Sequence, residues 1–366
     1  MRRPLAPGAT VVLKVGSSSL TGPAGGLDDA SVQRVVDQVE HLCALGNRPV
    51  LVTSAAIAAG LPALGLSGRP SDIADLQVAA AVGQTNLMQQ YGAAFGANGR
   101  LVGQVLLTRD VLGSRRQYLN ARGALTRMLD RGVIPIVNEN DTVAVDEVRV
   151  GDNDQLAAIT SHLVSADMLI ILTDTSGLFT DDPRLTEDAE LLDAVRHSDV
   201  ILDQIRISAG KGALGSGGVA TKVTAARMAA FSGIPTVVAP SGDGGVVSAI
   251  ASGDRVGTWV EPRPTPLSAR KLWIAFGLPS DGILTVDRGA AEAMAGGGSS
   301  LLGVGVTGVD GDFARGDAVE VVDEAGRLVA KGVTRVGATE AREAMGLHSS
   351  QIGGEIIHRD DLVVLG

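Results

Sequence analysis

Six short apolar segments alternate with helix-like segments over the first two thirds of the chain, and this alternation most constrains the fold. The segments read TVVLKV, RPVLVTS, LVGQVLLT, GVIPIVN, ADMLIILTD and IPTVVAP. Because their apolar residues follow one another without alternating with polar ones, they are typical of strands covered on both faces of a sheet. Apolar residues at helical spacing lie between them, as at Val32, Val35, Val36, Val39 and Leu42. We predict an α/β domain with a mainly parallel sheet sandwiched by helices.

The pattern changes at the stretch EPRPTPLSARK. Its three prolines, Pro262, Pro264 and Pro266, cannot occupy a helix interior or a central strand, so the stretch is predicted to be a stiff linker. Beyond it, GILTVD, AVEVVD, LVAKGVTRV and EIIHRDDLVVLG resemble short strands, with one helix near RGAAEAMAGG. We predict an α/β domain over 1–262, a proline-rich linker over 263–270 and a small, mostly β domain over 271–366.

The charge of the chain limits its partners. The formal net charge is -10, and residues 271–366 contain eight Lys and Arg against fourteen Asp and Glu, a net charge of -6. Because phosphate backbones and anionic lipids attract basic surfaces, neither nucleic acid nor a membrane is expected as a partner. No apolar run reaches the length of a membrane span. The single cysteine, Cys43, and an N-terminal segment without a signal-peptide core predict a cytoplasmic location.

Three glycine-rich turns follow strands or open helices: KVGSSS at 14–19, TSAAIAAG at 53–60 and GSGGVATK at 215–222. Such turns expose backbone N–H groups that bind phosphate oxygens. Lys14 lies at the C-terminal end of a predicted strand, where ligands bind in open α/β sheets, and Lys222 is predicted in the first turn of a helix. We predict a phosphate site with two lysines. The five histidines have no zinc-binding spacing, so no protein-bound metal is expected.

The stretch NENDTVAVDEVRVGDNDQLAAIT, residues 138–160, is crowded with acids. Six carboxylates fall within its first seventeen positions: Glu139, Asp141, Asp146, Glu147, Asp152 and Asp154. Such crowding makes ionisation costly unless cations lie nearby. Capping of the following helix can explain one residue of GDND. It does not explain the whole group of Asn138, Asp141, Asp152, Asn153 and Asp154. These residues are predicted to orient the two lysines or to hold an amino-acid ammonium group, and Asp146 and Glu147 to lie in a solvated loop.

Motifs along nearly the whole chain resemble the glutamate 5-kinases, a branch of the amino acid kinase family. They are VVLKVGSSSLT, TSAAIAAG, AAVGQ, VIPIVNENDTV, VGDNDQLAA, LTDTSGLFTDDPR and GSGGVATKVTAARMA, in that order. The tail resembles the PUA domain fused to bacterial members. The resemblance implies the amino acid kinase fold and ATP-dependent phosphorylation of the L-glutamate side chain to L-glutamyl 5-phosphate, the first step of proline biosynthesis. It also implies homo-oligomers and proline as a feedback inhibitor.

The same resemblance assigns roles to residues. Lys14 and Lys222 would contact the transferred phosphoryl group, and Asp154 would orient them. The positions that match glutamate binding are Ser54, Asn138, Asp141, Asp152 and Asn153. The positions that match nucleotide binding are Lys14, Gly16, Thr173, Asp174, Ser216, Gly217, Gly218, Val219, Ala220, Thr221 and Lys222. Mg²⁺ is expected to be carried on ATP. Ala55 departs from the family, which usually has glycine there, and an alanine restricts φ.

Three alternative interpretations of the sequence are possible. Another amino acid kinase, such as an acetylglutamate kinase or an aspartokinase, fits poorly with GDND and the PUA-like tail. RNA binding by the C-terminal domain is a function of many PUA domains, but the acidic balance of residues 271–366 argues against it. A catalytically inactive scaffold would require loss of Lys14 or Lys222, and both are present.

Overall fold

The computed structural model describes residues 2–22, 25–143, 152–210, 217–347 and 354–365. It divides the chain into two compact units, Met1–Pro266 and Leu267–Gly366. The division falls inside the predicted linker, and a short helix begins within that linker at Ala269. The bounds chosen for the three segments from sequence stay a prediction.

The first unit is built around an eight-stranded sheet in the order β3-β4-β2-β1-β5-β7-β8-β6. Its strands are β1 (Thr10–Lys14), β2 (Arg48–Val52), β3 (Leu101–Leu107), β4 (Val133–Glu139), β5 (Met168–Thr173), β6 (Ala194–Arg196), β7 (Thr236–Pro240) and β8 (Thr258–Glu261). The neighbouring strands are parallel except for β7 and β8, which are antiparallel. The predicted mainly parallel sheet is confirmed.

Helices flank this sheet. They are α1 (Asp29–Ala44), α2 (Ala56–Gly60), α3 (Ile73–Ala97), α4 (Arg115–Asp130), α5 (Asp152–Val164), α6 (Val200–Gly210), α7 (Gly217–Phe231) and α8 (Val246–Ala251). The Asp28 side chain caps α1 by accepting a hydrogen bond from the Ser31 amide. Apolar side chains of α1, α3 and α8, among them Val36, Tyr91 and Ile250, form one buried core with the central strands.

One detail of the predicted sheet is wrong. The segment LVGQVLLT was expected to be covered on both faces, but β3 is the edge strand, it pairs with β4, and all of its residues are partly or fully exposed. Leu101 is 70% exposed. A continuous apolar run indicates burial only when neighbouring strands and helices cover the strand. Because β3 is the edge strand, it lacks a neighbouring strand on one side.

Helices α2 and α3 approach each other at backbone distance. A Cβ atom added to Gly83 would lie 1.8 Å from the Ala56 carbonyl oxygen, and one added to Gly60 would lie 2.0 Å from the Ala79 carbonyl oxygen. Both distances are shorter than any real carbon–oxygen contact, so only glycine fits at these positions. The contact positions the start of α2 and, with it, the loop between β2 and α2.

The second unit contains a five-stranded sheet in the order β10-β9-β11-β12-β13. Its strands are β9 (Gly282–Val286), β10 (Val306–Gly311), β11 (Ala318–Asp323), β12 (Leu328–Val333) and β13 (Leu362–Val364), and its helices are α9 (Ala269–Leu272), α10 (Arg288–Ala295) and α11 (Ala338–Ala344). Neighbouring strands are antiparallel except for β9 and β11. Buried residues such as Leu284, Val321 and Ile357 form its separate core. The predicted small, mostly β domain is confirmed.

Within the described parts of the chain, no helix combines the length and the apolar character needed to cross a membrane.

His162, near the end of α5, makes stability pH-dependent. Its ring centroid lies 5.8 Å from that of Tyr118 on α4. Burial, reinforced by the nearby charge of Arg122, lowers the pKa of His162 from 6.5 to about 4. Between these two values the unfolded chain binds more protons than the folded chain, so stability rises with pH across this window. We expect His162 to cost about 2 kcal/mol of stability when the pH falls from 7.5 to 5.

The His162→Gln variant tests this expectation. Because glutamine does not titrate, the variant should lose about 2 kcal/mol less than the original chain over the same pH step. Urea unfolding at pH 7.5 and at pH 5 measures both losses. Equal losses in the two proteins would show that His162 does not titrate below its ordinary pKa.

Candidate active site

Two lysines and one aspartate from three separate elements meet at one edge of the main sheet. Lys14 is the last residue of β1, Asp154 is the third residue of α5, and Lys222 lies on α7. The Lys14 Nζ is 2.6 Å from Asp154 Oδ1, and the Lys222 Nζ is 3.4 Å from Asp154 Oδ2. The predicted place of Lys14 at the C-terminal end of a strand is confirmed. The cluster therefore presents two ammonium groups that share one carboxylate.

The environment of the cluster controls its ionisation. Burial lowers the pKa of Lys14, the charge of Asp154 partly opposes this, and Lys222 adds to the lowering. Burial by itself raises the pKa of Asp154, but Lys14, Lys222 and a hydrogen bond from Thr221 outweigh it, and the pKa is lowered. Asp154 is fully buried and stays ionised between the lysines. With both lysines protonated, the cluster carries a net positive charge that attracts an anion.

Lys222 lies deeper in its helix than the sequence predicts. It is the sixth residue of α7, in the second turn and not in the first. Its side chain reaches back toward the start of the helix, where Nζ donates to the Gly218 carbonyl at 3.1 Å. Side chains on a helix lean toward its N-terminus, so a lysine one turn further along still reaches the first turn.

Two glycines border the ammonium groups. A Cβ atom on Gly16 would lie 3.5 Å from the Lys14 Nζ, and one on Gly218 would lie 3.7 Å from the Lys222 Nζ. Any longer side chain at either position would extend into the space beside the charges. The open backbone at these glycines and the start of α7 are suited to phosphate oxygens. Ser216 lies outside the described residues.

The C-terminal end of β4 is hydrogen-bonded to the start of α5. The Asn138 side chain donates from Nδ2 to Gln84 Oε1 at 2.8 Å, and both side chains are buried. The Glu139 amide donates to Asn138 Oδ1 at 3.0 Å and to Asn153 Oδ1 at 3.1 Å. Asn153 directly precedes Asp154, so a chain of hydrogen bonds links this segment to the lysine cluster.

A cavity of about 260 Å³ opens beside these residues. Its lining residues are Ala80, Ala81, Gln84, Thr85, Gln104, Leu106, Glu139, Asn140, Asp141 and Thr142. Of the predicted amino-acid-binding residues, Asp141 lines the cavity and Asn138 and Asn153 are hydrogen-bonded to its wall. Sequence reasoning quoted Gln84 within the motif AAVGQ but assigned it no role. The side chain of Asp152 and the residues Asp146 and Glu147 lie outside the described part.

The loop between β2 and α2 contains a strained residue. Ser54 is buried, and Ala55 has φ 75° and ψ 12°, in the left-handed region. An L-residue other than glycine pays about 1–2 kcal/mol there, so the surrounding structure must impose the conformation. This explains why a glycine suits the position. Before the loop, Thr53 Oγ1 and the Tyr91 hydroxyl are hydrogen-bonded at 2.9 Å, and both are buried.

The predicted nucleotide-binding pair follows β5, which is the direct neighbour of β1 in the sheet. Thr173 ends β5, and its Oγ1 donates to Asp174 Oδ1 at 3.1 Å. The C-terminal ends of parallel neighbouring strands lie at the same end of the sheet. Thr173 and Asp174 therefore lie at the same end of the sheet as Lys14. On α7, Gly217, Val219 and Ala220 precede Thr221, whose Oγ1 donates to Asp154 Oδ2 at 2.8 Å.

The donor set around the cluster does not suit a protein-held metal. Asp154 is already bound by two lysines and by Thr221. Among the residues that the structure describes, no group of three or more His, Cys, Asp or Glu side chains could hold a metal ion.

Comparison with known proteins matches both units. Residues 9–240 match the amino acid kinase family, and residues 282–356 match the PUA domain. A curated relative named glutamate 5-kinase, from Marinomonas sp. (strain MWYL1), is 46% identical over 100% of both chains. Another of that name from Frankia casuarinae is 46% identical over 97% of this chain and 96% of the relative. A third, from Ralstonia nicotianae, is 43% identical over 100% of both chains.

Proposed function

Because this chain belongs to the glutamate 5-kinases of the amino acid kinase family, we propose that it transfers the γ-phosphoryl group of ATP to the side-chain carboxylate of L-glutamate. The products would be ADP and L-glutamyl 5-phosphate, and the reaction would be the first step of proline biosynthesis. The observation that carries the proposal is the buried cluster of Lys14, Asp154 and Lys222 at the C-terminal edge of the parallel sheet. Such an edge is where α/β sheets bind their ligands.

The cluster matches the needs of phosphoryl transfer. The protein has little covalent work to do, since catalysis comes from alignment and from charge stabilisation of the transferred group. Lys14 and Lys222 would contact the phosphoryl oxygens while Asp154 holds both ammonium groups in place. The acceptor carboxylate of glutamate is ionised at neutral pH and attacks without a general base. Asp154 therefore acts as a positioning residue and moves no proton.

The nucleotide would lie along the same edge of the sheet. Its phosphates would meet Lys14, the open backbone at Gly16 and the start of α7. In α7 we assign Gly217, Gly218, Val219, Ala220, Thr221 and Lys222 to this role, with Ser216 before them. Thr173 and Asp174 would contact the nucleotide beyond the phosphates. The helix N-terminus contributes unpaired N–H groups and a partial positive charge.

Glutamate would bind beside the end of β4. Ser54, Asn138, Asp141, Asp152 and Asn153 are the residues proposed for it. The hydrogen bonds of Asn138 and Asn153 to the Glu139 amide, and the cavity lined by Asp141, support this assignment. Mg²⁺ would enter with ATP as part of that substrate, because the carboxylate of Asp154 is occupied by the lysines.

The remaining proposals concern partners. We infer a cytoplasmic homo-oligomer that is inhibited by proline, as the glutamate 5-kinase resemblance implies. The net charge of -6 over residues 271–366 supports the view that the second unit does not bind nucleic acid. Acetylglutamate kinase and aspartokinase activities are the rival reactions.

A substrate panel tests the reaction. Purified protein should release ADP from Mg²⁺-ATP with L-glutamate and much more slowly with L-aspartate or N-acetyl-L-glutamate. Hydroxylamine should trap the acyl phosphate product as a hydroxamate, because acyl phosphates are electrophilic. A higher kcat/KM for either rival substrate than for glutamate would contradict the proposal.

Asn153→Ala tests the amino-acid site. Removing the side chain should raise the KM for glutamate by about tenfold or more and change the KM for ATP much less, since a lost hydrogen bond in a charged site costs about 1.5–3 kcal/mol. Asn98→Ala, at the exposed end of α3, is the control and should leave both values unchanged. An equal rise in both KM values would indicate that Asn153 only supports the structure.

A further inference from the structure

We propose that Gln84 determines substrate specificity by donating a hydrogen bond from its side-chain amide to the glutamate carboxylate that is not phosphorylated. The inference rests on the proposed function and deepens it. It concerns a residue of α3, a helix that carries none of the residues assigned above to glutamate.

The hydrogen bond with Asn138 establishes which way the Gln84 amide points. Asn138 Nδ2 is a donor and lies 2.8 Å from Gln84 Oε1, so this atom must be the acceptor of the pair. The remaining group of the amide, Nε2, is a donor only. Gln84 is 9% exposed, and its Nε2 is buried with no hydrogen-bond partner in the described chain. Most buried side-chain donors in native proteins have a hydrogen-bond partner, in the protein, in water or in a ligand, so an acceptor is expected to reach this amide.

The lining of the cavity next to Gln84 indicates what that acceptor belongs to. Glu139 and Asp141 contribute carboxylates, which complement an ammonium group. Gln84 and Gln104 contribute amides, which can donate to a carboxylate. An amino acid carries an ammonium group and a carboxylate on the same carbon atom. The volume of about 260 Å³ accommodates this end of the molecule.

The position of the cavity relative to the lysine cluster indicates which carboxylate of glutamate accepts the hydrogen bond from Gln84. Lys14, Asp154 and Lys222 are not among the described residues that line the cavity. The two places are connected by the hydrogen bond that Asn138 donates to Gln84 and by those that the Glu139 amide donates to Asn138 and Asn153, the residue before Asp154. In this proposal glutamate extends from the cavity to the lysines. Its side-chain carboxylate would face the phosphoryl group, and its α-carboxylate would accept from Gln84 Nε2.

Two substitutions separate the donor from the acceptor of Gln84. Gln84→Glu keeps an oxygen that can accept from Asn138 but removes the N–H donor, and Gln84→Met removes both. The control is Gln89→Glu, which adds the same charge on the exposed side of α3. The dissociation constant for L-glutamate, measured by calorimetry, should rise about 10- to 100-fold in both Gln84 variants and stay unchanged in the control. The KM for ATP should change less than about twofold.

Truncated ligands then test which group Gln84 contacts. Glutarate lacks the ammonium group but has both carboxylates, whereas 4-aminobutanoate lacks the α-carboxylate. Inhibition by glutarate should weaken in Gln84→Glu as glutamate binding does, and inhibition by 4-aminobutanoate should be unaffected. Equal weakening of both inhibitors would mean that Gln84 only supports Asn138, and would overturn the inference.

Failure of the Gln84 inference can be distinguished from failure of the proposed function. If the original protein phosphorylates glutamate and both folded Gln84 variants bind it normally, only this inference is overturned. If the original protein does not phosphorylate glutamate, the proposed function fails first. Thermal unfolding of each variant establishes that it is folded before binding is measured.

Discussion

Replacing Lys14 or Lys222 by alanine is expected to lower kcat by about a hundredfold or more, with a smaller change in the KM for ATP. The reason is that charge develops on the phosphoryl oxygens during transfer, and a buried ammonium group stabilises it far more than water can. Lys14 is 3% exposed and directly paired with Asp154, so no solvent molecule takes over its charge. Asp154→Asn should also lower kcat, because the neutral amide holds the two lysines less firmly.

The measurement is steady-state kinetics at saturating glutamate and ATP. In each lysine variant Asp154 keeps two partners. Lys222 and Thr221 remain in Lys14→Ala, and Lys14 and Thr221 remain in Lys222→Ala. Lys271→Ala, at a half-buried lysine of the second unit whose Nζ donates to the Arg359 carbonyl, is the control and should keep full turnover. A folded Lys14→Ala or Lys222→Ala protein with near-normal kcat would remove that lysine from the mechanism.

Gly83→Ala is expected to destabilise the protein by about 3 kcal/mol or more. The new methyl group would lie 1.8 Å from the Ala56 carbonyl oxygen and 2.4 Å from the Gly60 amide nitrogen. Both are backbone atoms that a rotamer change cannot move, so α2 and α3 must separate. Because Ser54 and Ala55 directly precede α2, the KM for glutamate should also rise in whatever protein remains folded.

Gly92→Ala on the same helix is the matched control. A Cβ atom there has nothing within 4 Å, and alanine in a helix interior is favoured over glycine by about 0.5–1 kcal/mol. Urea unfolding should therefore show loss of stability at position 83 and no loss at position 92. Similar stabilities for the two variants would mean that the close contact of α2 and α3 does not hold in solution.

The sequence by itself was enough to predict the parallel sheet and to single out the residues that we propose as reactive. Continuous apolar runs are a local property, and they place the strands without knowledge of the fold. The end of such a run marks the end of a strand, which is why Lys14 could be assigned to the ligand-binding edge. The crowded carboxylates of residues 139–154 also stand out in the sequence, because their ionisation needs nearby cations.

Only the tertiary structure determined the features that depend on contacts between segments distant in the chain. Asp154 is far from both Lys14 and Lys222 in the chain, and its distances to them follow from the packing of α5 against β1 and against α7. The exposure of β3 follows from its place at the sheet edge, and the need for glycine at positions 60 and 83 follows from the close approach of α2 and α3. The role proposed for Gln84 rests on its hydrogen bond with Asn138, a residue of another element. Periodicity describes one element at a time, whereas each of these features is a relation between elements.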